Sequence, residues 1–166
     1  MQTSLLGIAK KARSEKRYRF RNLYRELNEE LLRDSWRLLR KDAALGVDRV
    51  SAAEYEANLE ENIHQLVERL KRKRYRARLV RRHYIPKGDG RMRPLGIPAI
   101  EDKLLQLAVK RLLEAIYDQD FLSCSYGYRL RVGAWDAADQ LTVKLQFGGY
   151  HHVVEADVKG FLEASS

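Results

Sequence analysis

Tyr84-Ile85-Pro86-Lys87-Gly88-Asp89-Gly90-Arg91-Met92-Arg93-Pro94-Leu95-Gly96-Ile97-Pro98 is the stretch on which the fold of this chain turns. Leu79-Val80-Arg81-Arg82-His83 leads into it, and Leu79 to Ile85 reads as a strand carrying basic side chains. Pro86 to Gly90 is a turn signal, and Arg91 to Pro98 returns as a second extended segment. Pro94 and Pro98 lack the amide that a central strand needs, so the expected element is an edge hairpin. A register with Lys87 roughly opposite Arg93 would bring both cations to one place, Lys as a mobile point charge and Arg as a planar fork. That pair suits a triphosphate. On turn chemistry alone a solvated β-turn is the simpler account, and the Gly-x-x-x-x-Gly-Lys-Ser/Thr spacing of a phosphate loop is absent.

Helical patterns lie on both sides. Upstream, Ser51-Ala52-Ala53-Glu54 is a capping box, with Val50 and Tyr55 at the two positions of a hydrophobic staple. Tyr55, Leu59, Ile63, Leu66 and Leu70 follow at helical spacing, with acids toward the front and cations at the rear. Downstream, Leu104, Leu105, Ala108, Leu112, Leu113 and Ile116 make one apolar face of a helix from about Glu101 to Tyr117. Ser123 to Gly133 reads as loop, Ala134 to about Leu145 as helix, and Gly148-Gly149 turns the chain into an expected closing strand, His151 to Asp157. Met1 to about Ala44 reads as helical and basic. The fold class is α+β.

The 166 residues carry a net charge of +9 with 33% charged residues, which favours a polyanionic partner, nucleic acid or an anionic membrane surface. Lys10, Lys11, Arg13, Lys16, Arg17, Arg19 and Arg21 crowd the first segment, interleaved with Tyr18, Phe20 and Tyr24. Arginines neutralise phosphate and aromatic faces stack on unpaired bases, so the pattern suits RNA. A solvated helix with its aromatics in the core accounts for the aromatics equally well. Cys124 is alone, which excludes an internal disulfide or a Cys-rich zinc site. No apolar run reaches membrane-spanning length and Met1 to Ile8 is not a secretory signal, so a cytoplasmic protein is expected.

Asp157 closes the β-branched run Val153-Val154-Glu155-Ala156-Asp157. A carboxylate at a strand end can hold one of two divalent ions, about 4 Å apart, that drive phosphoryl transfer. The Val158 carbonyl would add a second oxygen to a Mg²⁺ site. A lone Asp there is more often a cap or turn residue.

Taken in order, these pieces resemble a known family. The hairpin, Gly46-Val47-Asp48, Glu101-Asp102-Lys103, Asp120-Phe121, Cys124-Ser125-Tyr126-Gly127-Tyr128-Arg129 and Val153 to Phe161 are similar to the group II intron reverse transcriptases, or maturases. The resemblance covers about Gly46 to Phe161, and the basic start resembles the family's N-terminal region. It implies an incomplete right-hand polymerase. Residues 1–45 would be a basic helical region, 46–150 the fingers with the edge hairpin, and 151–166 the start of the palm with its first strand. Lys87 and Arg93 would hold the incoming dNTP, Leu162 would stand where an aromatic screens its 2′ position, and Asp157 with Val158 would bind Mg²⁺. Asp157 would be the catalytic carboxylate. The implied partners are group II intron RNA, an RNA template with its DNA primer, and dNTP, with no membrane.

The departures shape the expectation. Leu130 follows Arg129 where the family has Pro-Gly, Trp135 replaces a smaller residue, and Phe161-Leu162-Glu163-Ala164 stands for Phe-Phe-Asp-Asn. The palm core with Tyr-Ala-Asp-Asp and the thumb are absent. RNA-templated DNA synthesis is thus expected only with another chain supplying the palm. The competing expectations are a non-catalytic RNA-binding protein and a decayed fragment without independent function.

Overall fold

Residues 3–86, 88, 90–150 and 152–157 are described by a computed structural model of the chain. They order as α1 (Thr3–Ser14), a 3-10 turn (Leu23–Glu26), α2 (Glu29–Leu38), α3 (Ala52–Glu56), α4 (Leu59–Lys71), β1 (Arg81–Pro86), β2 (Met92–Ile97), α5 (Ile100–Tyr117) and α6 (Ala134–Phe147). The chain divides into two units, Met1–Asp120 and Phe121–Ser166. Helices with a small antiparallel sheet make the α+β class expected from the sequence.

In the first unit α5 packs against α1 and α2, and α4 against α2 and α3. Leu31, Leu32 and Trp36 of α2, Ile63, Leu66 and Leu70 of α4, and Leu104, Ala108 and Leu112 of α5 share one core. In α4 and α5 these recur at spacings of three or four residues, and in α2 Trp36 follows Leu32 by four, which places them on one face. Fully burying one such aliphatic side chain contributes about 1.5–3 kcal/mol. The Trp36 indole N–H donates to Glu56 Oε1 at 3.0 Å, so burying the ring leaves no polar atom unpaired.

Local chemistry sets the helix ends. The Ser51 hydroxyl accepts from the Glu54 amide at 3.2 Å while the Glu54 carboxylate takes the Ser51 amide at 2.8 Å. This is the capping box read from the sequence. One helix was expected from there to Leu70, but the chain breaks after α3. Asn62 Nδ2 donates to the Tyr55 carbonyl at 2.9 Å, partnering a carbonyl at the end of that short helix. The N-terminal region is helical in separate pieces. Asn22 sits at φ 60°, and Asn28 caps a fresh start by accepting the Leu31 amide at 2.9 Å.

β1 and β2 pair antiparallel, from Arg81 opposite Ile97 to Pro86 opposite Met92. Gly90 turns at φ 79°, a conformation that favours glycine. Pro94 is tolerated because each strand of a two-stranded sheet has a free edge. Arg93 stands opposite Ile85 rather than Lys87, and Lys87 lies outside the described residues.

In the second unit α6 begins where the Gly133 amide donates to Asp136 Oδ2 at 2.7 Å. The expected strand His151–Asp157 is not formed: residues 152–157 have no regular secondary structure, and His151 lies outside the described residues. A strand needs a neighbour to take its amides and carbonyls, and among the described residues β1 and β2 pair only with each other.

Candidate functional site

The hairpin register sorts its cations onto two faces. Arg81, His83 and Ile85 share one face with Ile97, Leu95 and Arg93; Arg82, Tyr84 and Pro86 share the other with Gly96, Pro94 and Met92. Every residue of the two strands is exposed except Ile97. The hairpin therefore projects cationic and aromatic side chains into solvent, where an anionic ligand can reach them.

Its base is held firmly. Arg81 Nε donates to the Leu45 carbonyl at 2.8 Å, and Lys103 Nζ to the Ala44 carbonyl at 2.5 Å. Partial burial, then the nearby Arg81 charge, pulls the Lys103 ammonium below its ordinary range, and Asp48 offsets part of that. Asp102 is buried, accepting the Tyr75 hydroxyl on one oxygen and the Arg78 amide at 3.2 Å on the other. Burial, then this contact, raises the Tyr75 phenol above its usual range. Glu101 pairs with Arg69 at 2.6 Å and holds that guanidinium above its ordinary value. The Glu101-Asp102-Lys103 run thus ties the start of α5 to three other segments.

Of the seven cations expected to bind RNA, Lys10 and Arg13 are exposed on α1, and Arg17, Arg19 and Arg21 are exposed in the connection that follows. Lys11 instead pairs with Glu15 at 3.0 Å and lies 4.2 Å from the Tyr18 ring centre. Lys16 pairs with Asp120 at 3.1 Å. Tyr18 and Phe20 pack edge to face with centroids 4.9 Å apart. The Tyr24 hydroxyl donates to the Leu70 carbonyl, and its ring borders an open apolar groove of about 890 Å³ that Arg25, Lys73 and Arg76 also line. The sequence signalled this groove only as leucines of separate helices.

Asp157 is exposed, while Val158 and Leu162 lie outside the described residues. No group of three or more His, Cys, Asp or Glu able to hold a metal occurs among the described residues. One carboxylate does not make a Mg²⁺ centre, and no metal-dependent step follows from these residues.

A projecting cationic hairpin on a helical body invites comparison with known proteins. No protein-family model matches the chain. The group II intron-encoded protein LtrA of Lactococcus lactis subsp. cremoris is 43% identical over 102 residues, which are 61% of this chain and 17% of LtrA. The chain is a relative of group II intron-encoded proteins. The protein YkfC of Escherichia coli (strain K12) is 35% identical over 123 residues, 71% of this chain and 32% of YkfC. A putative COX1/OXI3 intron 1 protein of Saccharomyces cerevisiae is 33% identical over 75 residues, 45% of this chain and 9% of that protein. The chain thus spans less than a third of these intron-encoded and related proteins. No described helix is long and apolar enough to cross a membrane.

Proposed function

We propose that this chain is the RNA- and nucleotide-contacting N-terminal portion of an intron-encoded reverse transcriptase. The observation that carries the reading is the 43% identity to LtrA over 102 residues. In this reading residues 1–45 contact intron RNA and residues 46–150 are the fingers. Residues 151–166 begin the palm, whose strands would come from outside these residues. Arg93, with Lys87, takes the phosphates of a dNTP, and Leu162 borders its sugar. Asp157 and the Val158 carbonyl would contribute to a Mg²⁺ site completed by further carboxylates. The 166 residues contain no Tyr-Ala-Asp-Asp, so the chain by itself does not polymerise. A cytoplasmic location is part of this proposal.

The reading is tested by primer extension on an RNA template. The isolated chain gives no extension. Incorporation of dNTP that Asp157→Asn abolishes would overturn the proposal that it is inactive alone.

The exposed Arg17, Arg19 and Arg21 favour a second reading, RNA binding without catalysis. Four phosphate contacts, these three and Arg13, would make log affinity fall with log salt by a slope of about 3 for single strands. Replacing all four by Gln flattens that slope. Affinity for intron RNA that is indifferent to salt argues against both readings.

A further inference from the structure

Both ends of the hairpin meet the same short turn. On the entering side, Arg78 Nη1 lies 3.7 Å from Asp48 Oδ2, and Arg81 Nε donates to the Leu45 carbonyl at 2.8 Å. On the leaving side, Ile97, Ala99 and Ile100 are buried, and the backbone of Gly46 presses on Pro98 and Ala99. A Cβ at Gly46 would stand 2.5 Å from the Ala99 Cα and 2.8 Å from the Pro98 carbonyl oxygen. Lys103, one turn into α5, reaches back to the Ala44 carbonyl at 2.5 Å. The Ala44–Asp48 turn is therefore wedged between the two feet, and Asp102 fixes the Arg78 amide just before β1 at 3.2 Å. Beyond the feet the strands are exposed, so their direction is decided at the base.

We propose that Lys103, Arg81 and Asp102 are positioning residues that clamp the Ala44–Asp48 turn between the feet of the hairpin and so hold it as a rigid arm. The proposal rests, for its use, on the reading of the hairpin as the dNTP-contacting element. The clamp itself is a matter of geometry. A carbonyl that accepts from an ammonium or a guanidinium is held more firmly than one that accepts from a neutral donor. Both charged donors point at adjacent carbonyls of one turn. Losing either frees the turn, and with it one foot, while the helical core stays as it is.

The test uses the full chain with Cys124→Ser, spin-labelled at Ala53→Cys on α3 and Met92→Cys on β2. The expected distance distribution is single and narrow. Lys103→Met and Arg81→Met each broaden it or add a second population, and Lys103→Arg restores it. Leu112→Ala, a core change away from the clamp, lowers the melting temperature and leaves the distribution narrow. Narrow distributions for both Lys103→Met and Arg81→Met would overturn the proposal, and so would equal broadening by Leu112→Ala. Affinity for a fluorescent dATP analogue is measured on the same chains. If the native chain binds it, Lys103→Met weakens binding and Lys103→Arg restores it. If the native chain does not bind it, the nucleotide reading fails while the distances still decide the clamp.

Discussion

Gly46→Ala is the sharpest probe of how the hairpin base is built. Gly46 has no positive φ, so a methyl group there brings no backbone strain. In the absence of contacts, an alanine would stabilise the fold by about 0.4–1 kcal/mol through a less disordered unfolded chain. The contacts reverse the sign. The new Cβ would lie 2.5 Å from the Ala99 Cα, 2.7 Å from its amide nitrogen and 2.8 Å from the Pro98 carbonyl oxygen. All three are backbone atoms, and Ala99 is fully buried ahead of α5, so no side chain can swing aside. Overpacking of this kind costs about 1–3 kcal/mol. Setting the upper end of that cost against the entropy term leaves a net loss of about 2 kcal/mol. With a urea slope of about 1–3 kcal/mol per M for a small domain, the unfolding midpoint falls by about 1 M. Gly7→Ala is the control: it lies in α1 with nothing within 4 Å of the new Cβ. That change raises stability by up to about 1 kcal/mol. A Gly46→Ala midpoint at or above the native one would refute the close approach of the turn to Pro98 and Ala99.

Ser51→Ala removes the acceptor of the Glu54 amide and lowers stability by about 1 kcal/mol, read from urea midpoints. Leu104→Ala empties a fully buried position between α5 and the core and costs about 2–5 kcal/mol by the same assay. His64 lies 2.8 Å from Glu29, and that hydrogen bond raises its pKa above the ordinary 6.5. A raised value means that the contribution is complete below the unfolded value and is lost as pH rises through the folded one. The melting-temperature advantage of the native chain over His64→Gln therefore shrinks from about pH 6 to about pH 8. The effect is small because the pair is exposed, and an advantage that grows across this range contradicts the pairing.

Much of the helical architecture could be read along the chain because its causes are local. Leu104, Ala108 and Leu112 recur at the helical repeat, and Ser51 and Glu54 stand at capping distance. The turn residues Pro86 to Gly90 join two extended runs. Hydrogen bonds and apolar stripes of this range need only neighbours within a turn or two. The same local rules overran at Ala57, where periodicity continued and the helix did not. They overran again at Val153 to Asp157, where β-branched residues wrote a strand that no described neighbour pairs.

The candidate site was legible as residue types and poorly legible as geometry. Arg93, Asp157 and the basic N-terminal cations stand out in the sequence, and the i,i+4 spacing of Lys11 and Glu15 signals their pairing, yet nothing local shows that Lys16 spends its charge on Asp120. By itself the sequence determined the α+β class, the hairpin and the kinship with intron-encoded proteins, because motif order and spacing survive in one dimension. Only the tertiary structure decided the register that sets Arg93 against Ile85, the contact that requires glycine at position 46, and the clamp of Arg81, Asp102 and Lys103. The register is set inside one hairpin, but the glycine contact and the clamp join residues far apart along the chain, and their energy exists only once the core has brought the segments together.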